Sequence, residues 1–255
     1  MTEPETVISV RNLSKTFHVR EKPVSSIRDA VLNFTRFRSA SHEIKALQNI
    51  NFEVKKGEII GVIGRNGSGK STLLNIILGS MRADKGSELF TKGRIVRLSL
   101  GMGFDPNLSA RHNIYVNGSI LGLTFKKIGL AFADIISFAD LEDFVDTPLK
   151  YFSSGMRMRL AFSVALHAQA DIYLMDEIFG GVGDESFREK SRRVFEDTFL
   201  EGRTIIFVSH SLPQIAEFSD KVLLINKGTQ VLFDEPDIAL AKYREMVANP
   251  VMATK

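Results

Sequence analysis

Short, largely apolar segments recur along the chain and are separated by longer segments with helical periodicity. The apolar segments lie at residues 58–63, 172–175, 204–208 and 222–225. Uninterrupted apolar runs of this length are typical of strands buried on both faces of a parallel sheet. Helical spacing of apolar residues predicts helices at 72–78, 186–199 and 236–247. Strands that alternate with helices predict an α/β domain whose sheet is mostly parallel.

Other segments predict strands by alternation or by their turns. Residues 7–10 together with Leu13 predict a first strand. Residues 46–54 alternate apolar and polar side chains, and a Lys55-Lys56-Gly57 turn leads from them to the strand at 58–63. Residues 94–100 also predict a strand, and Asn226-Lys227-Gly228 predicts a hairpin between 222–225 and 230–233. Residues 82–92 contain turn residues and little apolar sequence, so we expect turns there.

The longest region of helical periodicity extends from about residue 100 to residue 168. Ile114, Val116, Ile120 and Leu121 are spaced as on one face of a helix, and the pattern continues through 128–144 and 156–168. Predicted strands precede and follow this region. We therefore expect an α-helical lobe inserted between two halves of the α/β core.

Length and composition limit the possible classes of protein. A chain of 255 residues, 44% apolar and 25% charged, is long enough for one large α/β domain or two small ones. A formal charge of +3 is too small to indicate nucleic acid by itself. The absence of cysteine excludes disulfides and thiolate metal sites. No apolar run approaches the roughly 20 residues of a membrane helix, and the acidic start lacks the basic region of a signal peptide, so we expect any membrane attachment to come through another component.

Basic residues are concentrated in a segment at about 18–45. Between residues 20 and 45 there are six Lys or Arg residues and three acidic ones, a net +3, and Ile27, Val31 and Phe34 follow helical spacing. A basic amphipathic insertion can contact anionic lipid or a membrane partner. It can also pack its apolar face on its own domain, and we favour this second interpretation.

The segment between the strand at 58–63 and the helix at 72–78 carries the most specific chemistry. It reads Gly64-Arg65-Asn66-Gly67-Ser68-Gly69-Lys70-Ser71 and is followed by Thr72. It matches G-x-x-x-x-G-K-[ST], the phosphate-binding loop or P-loop, at every defined position. The glycines allow backbone N–H groups to turn toward an anion, and the helix adds the partial positive charge of its N-terminus. We expect Lys70 to reach the β- and γ-phosphates of a nucleotide and Ser71 to ligate Mg²⁺.

Two further segments predict the rest of an ATP-hydrolysing site. A P-loop enzyme needs a carboxylate at the end of a neighbouring strand to hold Mg²⁺, and Asp176 follows the apolar segment 172–175. The next residue, Glu177, is predicted to orient or deprotonate the attacking water. His210 follows the strand at 204–208. We predict that it donates a hydrogen bond to the γ-phosphate, the alternative being a structural histidine.

Phe17 is the candidate for contact with the base of the nucleotide. It follows the first predicted strand. It can stack on an adenine ring or fill the core beside an edge strand. Neither interpretation is favoured by the sequence.

A second anion-binding candidate precedes Asp176 by 23 residues. Ser153-Ser154-Gly155 begins a predicted helix and presents hydroxyl and N–H groups, which by itself is only an N-capped helix. In this position the sequence Phe-Ser-Ser-Gly-Met at 152–156 resembles the signature motif of the ATP-binding cassette (ABC) family. Together with the P-loop, Asp176, Glu177 and His210 it identifies the chain as a member of the ABC ATPase family over residues 7–235.

This resemblance implies an architecture and a mode of assembly. The fold class would be α/β: a P-loop ABC ATPase with a mixed core sheet, an N-terminal antiparallel β-subdomain and the inserted α-helical lobe. A single domain would extend over 1–255, with a C-terminal helix and tail from about 236. In the implied head-to-tail homodimer each ATP, with its Mg²⁺, lies between the P-loop of one subunit and Ser153 and Gly155 of the other. A multi-span membrane permease would convert closing and opening of the dimer into transport.

Several segments are similar to one branch of the family, the ATPases of exporters for O-antigen, capsule and teichoic-acid polymers. They are 98–104, 113–118, 153–157, 182–184 and the insertion before Ala46. Leu100 stands where most members of the family carry Gln. The loop from Asp176 to Asp184 is one residue longer than is usual in the branch, which leaves the role of Asp184 open.

The branch resemblance implies a subunit at the cytoplasmic face of the inner membrane, held by its permease, that drives export of a lipid-linked polysaccharide. We expect no nucleic-acid partner. The alternatives are an ABC exporter for a lipid or peptide, and a soluble ABC ATPase that acts on DNA or ribosomes. The second is disfavoured because the sequence has one P-loop and no heptad run between Lys70 and Ser153. Some exporters of this branch carry a C-terminal glycan-binding domain, and with none before Lys255 we expect the polymer to be recognised elsewhere.

Overall fold

The structure is a computed structural model that describes residues 4–20, 41–176, 185–195 and 202–248. The strands in these ranges are β1 (Thr6–Arg20), β2 (Ser41–Lys55), β3 (Ile59–Ile63), β4 (Glu88–Thr91), β5 (Ile95–Leu98), β6 (Ile172–Asp176), β7 (Thr204–Val208), β8 (Lys221–Asn226) and β9 (Thr229–Asp234). The helices are α1 (Lys70–Ile77), α2 (Ala110–Ile120), α3 (Phe125–Ala139), α4 (Ser154–Leu166), α5 (Glu185–Phe195), α6 (Leu212–Phe218) and α7 (Pro236–Ala248).

The strands form one mixed sheet in the order β4-β1-β2-β9-β8-β3-β7-β6-β5. The central strands are parallel: β3 pairs with β7 and β8, and β6 pairs with β7 and β5. At the N-terminal side β1 pairs antiparallel with β2 and β4. The predicted fold class, with its antiparallel β-subdomain, is therefore confirmed.

Two apolar clusters cover the two faces of the central sheet. Alternate residues of a strand point to opposite faces, and in β3 Ile59 and Ile63 join one cluster whereas Ile60 and Val62 join the other. The same division holds in β7, where Ile205 and Phe207 face away from Ile206 and Val208. Because both faces are buried, the sequences of β3 and β7 are short and largely apolar, as predicted.

The helical lobe comes between β5 and β6 and consists of α2, α3 and α4, which pack on one another. Each of these helices begins with a side-chain cap, supplied by Ser109, Thr124 and Ser153. Buried Asn113 fixes the turn before α2, since its amide nitrogen donates to the carbonyl oxygens of Asp105, Leu108 and Ser109 at 3.0 Å. Among the helices described, none combines the length and apolar content needed to cross a bilayer.

The structure differs from the sequence predictions in two places. Residues 88–91, where we expected turns, form the edge strand β4. This strand was missed because its residues are exposed or half-buried and show no core-facing pattern. The predicted insertion at 18–45 begins and ends in strand, because β1 continues to Arg20 and β2 starts at Ser41. The rest of that insertion lies outside the described residues.

Candidate nucleotide-binding site

The carboxyl ends of three neighbouring strands bring the candidate residues to one edge of the sheet. Val208 of β7 pairs on one side with Val62 of β3 and on the other side with Asp176 of β6. The P-loop starts two residues after Val62, and His210 follows Val208 by two residues. The register therefore places the loop, the histidine segment and the acidic strand end in one row. Ligand sites in open α/β sheets lie at this edge.

The loop can follow its path only because glycine occupies two of its positions. A Cβ on Gly64 would lie 2.1 Å from the carbonyl oxygen of Ile225, and one on Gly69 would lie 2.4 Å from that of Ala46. Gly69 also has φ +105°, which side chains strongly disfavour. The backbone N–H of Gly228 donates to the Ser68 carbonyl oxygen at 3.0 Å. The loop is thus held between strand β2 and the β8–β9 hairpin.

Lys70 is the buried cation of the loop. Its Nζ donates to the carbonyl oxygens of Gly64 (2.7 Å) and Arg65 (3.2 Å), and only 8% of the residue is exposed. By contrast, Arg65, Asn66, Gly67 and Ser71 are exposed and Thr72 is half-buried. The loop therefore presents a fixed ammonium group below an open rim of backbone and hydroxyl groups.

These residues fit a nucleotide phosphate. Helix α1 has Gly69 as its N-cap, and this glycine supplies no side-chain hydrogen bond to the helix N-terminus. An N-terminus that no side chain caps can receive an anion. The Oγ of Ser68 is buried and has no hydrogen-bond partner among the described residues. The P-loop thus combines a helix N-terminus, a buried ammonium group and a buried hydroxyl.

The donor set also fits Mg²⁺. The Ser71 hydroxyl and the Asp176 carboxylate are oxygen ligands, which Mg²⁺ prefers, and this ion usually takes few protein ligands and completes its shell with water and phosphate. In the described part of the chain no cluster of three or more His, Cys, Asp or Glu residues is placed to hold a metal by itself.

Asp176 has a partner that the sequence did not reveal. Arg97 of β5 donates from Nη2 to its Oδ2 at 2.6 Å and from Nη1 to Oδ1 of Asn75, on α1, also at 2.6 Å. The signal was a charged residue inside an otherwise apolar strand segment, Ile95-Val96-Arg97-Leu98. Its meaning depends on the β5–β6 pairing, which a single sequence does not show.

The structure describes only some of the remaining candidate residues. His210 is exposed in the turn after β7, next to a turn held by the Ser211 N–H, which donates to Ser209 Oγ at 3.0 Å. Glu177, predicted to act on the attacking water, lies outside the described residues, as do Gly183 and Asp184. Leu100, at the position usually held by Gln, is half-buried and packs against the core cluster shared with the lobe.

Phe17 is on β1, and β1 pairs with β2, the strand that contacts the P-loop. It pairs with Ile44 of β2, two residues from Ala46, whose carbonyl oxygen borders Gly69. Phe17 is half-buried and belongs to neither core cluster. The ammonium of Lys15 lies 5.6 Å from the centre of its ring. Phe17 is thus half-buried on a strand whose neighbour, β2, contacts the P-loop, and its contact with a base stays a prediction.

The signature segment lies on the helical lobe. Ser153 caps α4, its Oγ accepting from the Met156 N–H at 3.1 Å, and both Ser153 and Ser154 are exposed. Gly155 is half-buried in the first turn of α4. Helix α4 packs against α2, α3 and α5. The structure therefore presents this helix N-terminus to solvent.

Comparisons with known proteins give a consistent picture. The ABC transporter family model matches residues 47–180. The O-antigen export system ATP-binding protein RfbB of Myxococcus xanthus is 39% identical over 97% of this chain and 58% of its own length. RfbB of Klebsiella pneumoniae is 38% identical over 87% of this chain and 90% of its own length. The teichoic acids export ATP-binding protein TagH of Bacillus anthracis is 36% identical over 94% of this chain and 44% of its own.

The chain thus spans 58% of the length of the Myxococcus relative and 44% of that of TagH. Among solved structures, a dimeric ATP-binding cassette in a post-hydrolysis state with ADP and Pi superposes with a TM-score of 0.66. The superposition covers 90% of this chain and 98% of the chain of that structure, and the two sequences are 20% identical. At that identity the likeness concerns the fold.

Proposed function

This chain belongs to the ABC transporter family, and from that premise we propose that it is the ATP-hydrolysing subunit of a polysaccharide exporter. Its cargo would be a lipid-linked polymer of the O-antigen, capsule or teichoic-acid type, moved across the cytoplasmic membrane. The observation that carries the proposal is the pairing of Val62 with Val208 and of Val208 with Asp176, because the P-loop and the Asp176 carboxylate then lie at one edge of the sheet.

Each residue has a physical role in this proposal. The backbone of Gly64–Ser71 and Thr72 would bind the phosphates, with Lys70 on the β- and γ-phosphates. Ser71 and Asp176 would hold Mg²⁺, which when bound supplies neutralising charge on the phosphate oxygens. Glu177 would accept the proton of the attacking water, and His210 would donate a hydrogen bond to the γ-phosphate.

The proposed assembly is a head-to-tail homodimer. The exposed cap Ser153 and the adjacent Gly155 form a helix N-terminus that can bind phosphate. In the proposed dimer this N-terminus closes over the P-loop of the second copy. ATP would then lie in the interface and hydrolysis would release it.

The proposed partner and location follow from the names of the relatives, which are ATP-binding proteins of export systems. An exporter needs a membrane-spanning component, so we assign a multi-span permease as the partner. The subunit would lie at the cytoplasmic face of the membrane, held there by the permease. A lipid-linked polysaccharide would be handled by the complex and not by this chain alone.

Deletion and complementation in the source bacterium test the export proposal. Deletion should remove the surface polymer and leave its lipid-linked form inside the cell, and the wild-type gene should restore export. Glu177→Gln should fail to restore it and, in the purified protein, should keep an ATP-bound dimer. Glu88→Gln, the same change at an exposed residue of β4, should complement fully. Normal surface glycan in the deletion strain would exclude this cargo class, and undiminished turnover of Glu177→Gln would remove Glu177 from the role of base.

A further inference from the structure

A chain of three side chains connects the helix that follows the P-loop with the metal carboxylate. Arg97 lies between Asn75 of α1 and Asp176 of β6 and donates to each of them at 2.6 Å. Arg97 is on β5, which pairs directly with β6. The guanidinium therefore bridges the two elements that carry the proposed phosphate and metal sites.

The bridge is partly shielded from water. The side chains of Arg97 and Asp176 expose 17% and 24% of their surface. An ion pair with this burial is screened less than an exposed one, and its charges act more strongly on a nearby ion. The Nε of Arg97 is buried and has no hydrogen-bond partner in the described part of the chain. The two Nη groups thus make the contacts that orient the guanidinium.

Asn75 provides a fixed anchor for the bridge. Its main-chain carbonyl oxygen accepts hydrogen bonds from the Ser80 hydroxyl at 3.0 Å and from the Met81 N–H at 3.1 Å. The side-chain oxygen of Asn75 is left to receive Arg97. The guanidinium is therefore positioned by two contacts, one with Asn75 of α1 and one with Asp176 of β6.

We propose that Arg97 is the resident counter-ion of Asp176 and weakens Mg²⁺ binding at this site, a role that rests on the proposed function. The guanidinium occupies one oxygen of the carboxylate and cancels its charge, and an arginine in a protein does not deprotonate. A divalent ion that approaches Asp176 is repelled by this fixed positive charge. The metal is then held only when nucleotide phosphates add their own negative charge. Arg97 is thus a positioning residue that couples metal binding to nucleotide binding.

Titration of Mg²⁺ into the full-length protein tests this role. The protein is saturated with a fluorescent ADP analogue in the presence of a chelator, and the Mg²⁺ concentration at half-maximal response is measured. Bound Mn²⁺ is counted by electron paramagnetic resonance as a second readout. Arg97→Met should lower the midpoint by about tenfold, because it removes a positive charge that lies in contact with the carboxylate and repels the metal ion. Arg97→Lys keeps the positive charge but not the fork of the guanidinium, so its midpoint should lie closer to that of wild type than to that of Arg97→Met.

Arg94→Met is the matched control. Arg94 is a neighbouring arginine whose Nη2 donates to the Gly122 carbonyl oxygen at 2.6 Å, so its loss should leave the midpoint unchanged. An unchanged or raised midpoint in Arg97→Met, with a normal wild-type response, overturns the counter-ion role and leaves the proposed function standing. The same result in Arg97→Lys as in Arg97→Met also overturns it, because the effect would then come from the shape of the bridge.

Two other outcomes are also decisive. If Arg97→Met does not fold, Asn75→Ala replaces it: without its anchor the guanidinium should hold Asp176 less firmly, and the midpoint should fall by about twofold or more. A midpoint at or above wild type in Asn75→Ala overturns the proposal. A wild-type protein that binds no nucleotide overturns the proposed function together with this one.

Discussion

Lys70 donates from Nζ to the carbonyl oxygen of Gly64 at 2.7 Å, so the lysine near the end of the P-loop is held against the residue that begins it. In this position a buried ammonium group lies below an exposed rim. The protein thereby preorganises its positive charge before the phosphates arrive. Little conformational freedom of the lysine then remains to be lost on binding.

The first prediction concerns this charge. Lys70→Ala should lower the affinity for ATP by about a hundredfold, because hydrogen bonds to charged groups contribute about 1.5–3 kcal/mol each. Isothermal titration with ATP measures the effect. Lys85→Ala, at an exposed lysine in the turn before β4, should bind as wild type does. Equal ATP affinity in Lys70→Ala and wild type would contradict the phosphate assignment.

The second prediction concerns the close approach of the loop to β2. Gly69→Ala places a methyl group 2.4 Å from the Ala46 carbonyl oxygen and forces alanine to φ +105°. We expect a loss of unfolding free energy of more than about 2 kcal/mol, since steric strain adds to a backbone cost of about 1–2 kcal/mol. Urea denaturation measures it.

Gly79→Ala separates these two contributions. Gly79 has a similar left-handed conformation, φ +81°, but no atom lies within 4 Å of its would-be Cβ. This variant should lose only about 1 kcal/mol. If the two alanine variants were equally stable, the contact with Ala46 would not be what requires glycine in the loop.

Much of the fold and of the loop could be predicted because their signals are local. The P-loop is a continuous motif, and β3, β6, β7 and β8 are apolar runs because both faces of the sheet are covered. General rules of parallel sheets predicted Asp176 at the same sheet edge as the loop. Its pairing with Val208 places it there, with β7 lying between β6 and the strand that leads into the loop. In these cases local pattern and long-range packing agree.

The features that were missed depend on pairing between distant segments. Strand β4 has four residues at the edge of the sheet and no side chain in either core, so only its hydrogen bonds with β1 define it. In the sequence Arg97 is a charged residue in an otherwise apolar strand segment. Its contacts with Asp176 and Asn75 depend on the pairing of β5 with β6 and on the position of α1. The role of Glu177 stays a prediction.

The third prediction concerns the base of the nucleotide. Phe17→Ala should weaken ATP binding by about tenfold and leave the affinity for inorganic tripolyphosphate unchanged, because stacking of a base on an aromatic ring contributes about 1–3 kcal/mol. Competition with a fluorescent nucleotide measures both ligands. Phe90→Ala, at a phenylalanine of β4 that is 53% exposed, is the control and should change neither. Parallel weakening of both ligands in Phe17→Ala would indicate a change in the loop instead of a lost stack.

The last prediction concerns the proposed second half of the site. Ser153→Ala removes the cap of α4, whose Oγ accepts from Met156 N–H, and should cost about 1 kcal/mol of stability. It should in addition weaken the ATP-dependent dimer of Glu177→Gln by about tenfold, because a hydrogen bond to a phosphate of the facing site is lost. Analytical ultracentrifugation at several protein concentrations measures the dimer. Thr124→Ala removes the equivalent exposed cap of α3, which accepts from Lys127 N–H at 3.3 Å, and should lower stability to a similar extent without affecting the dimer. Because both variants lose a helix cap on the same lobe, equal dimer affinity in the two would show that Ser153 acts only as a cap and would remove it from the nucleotide site.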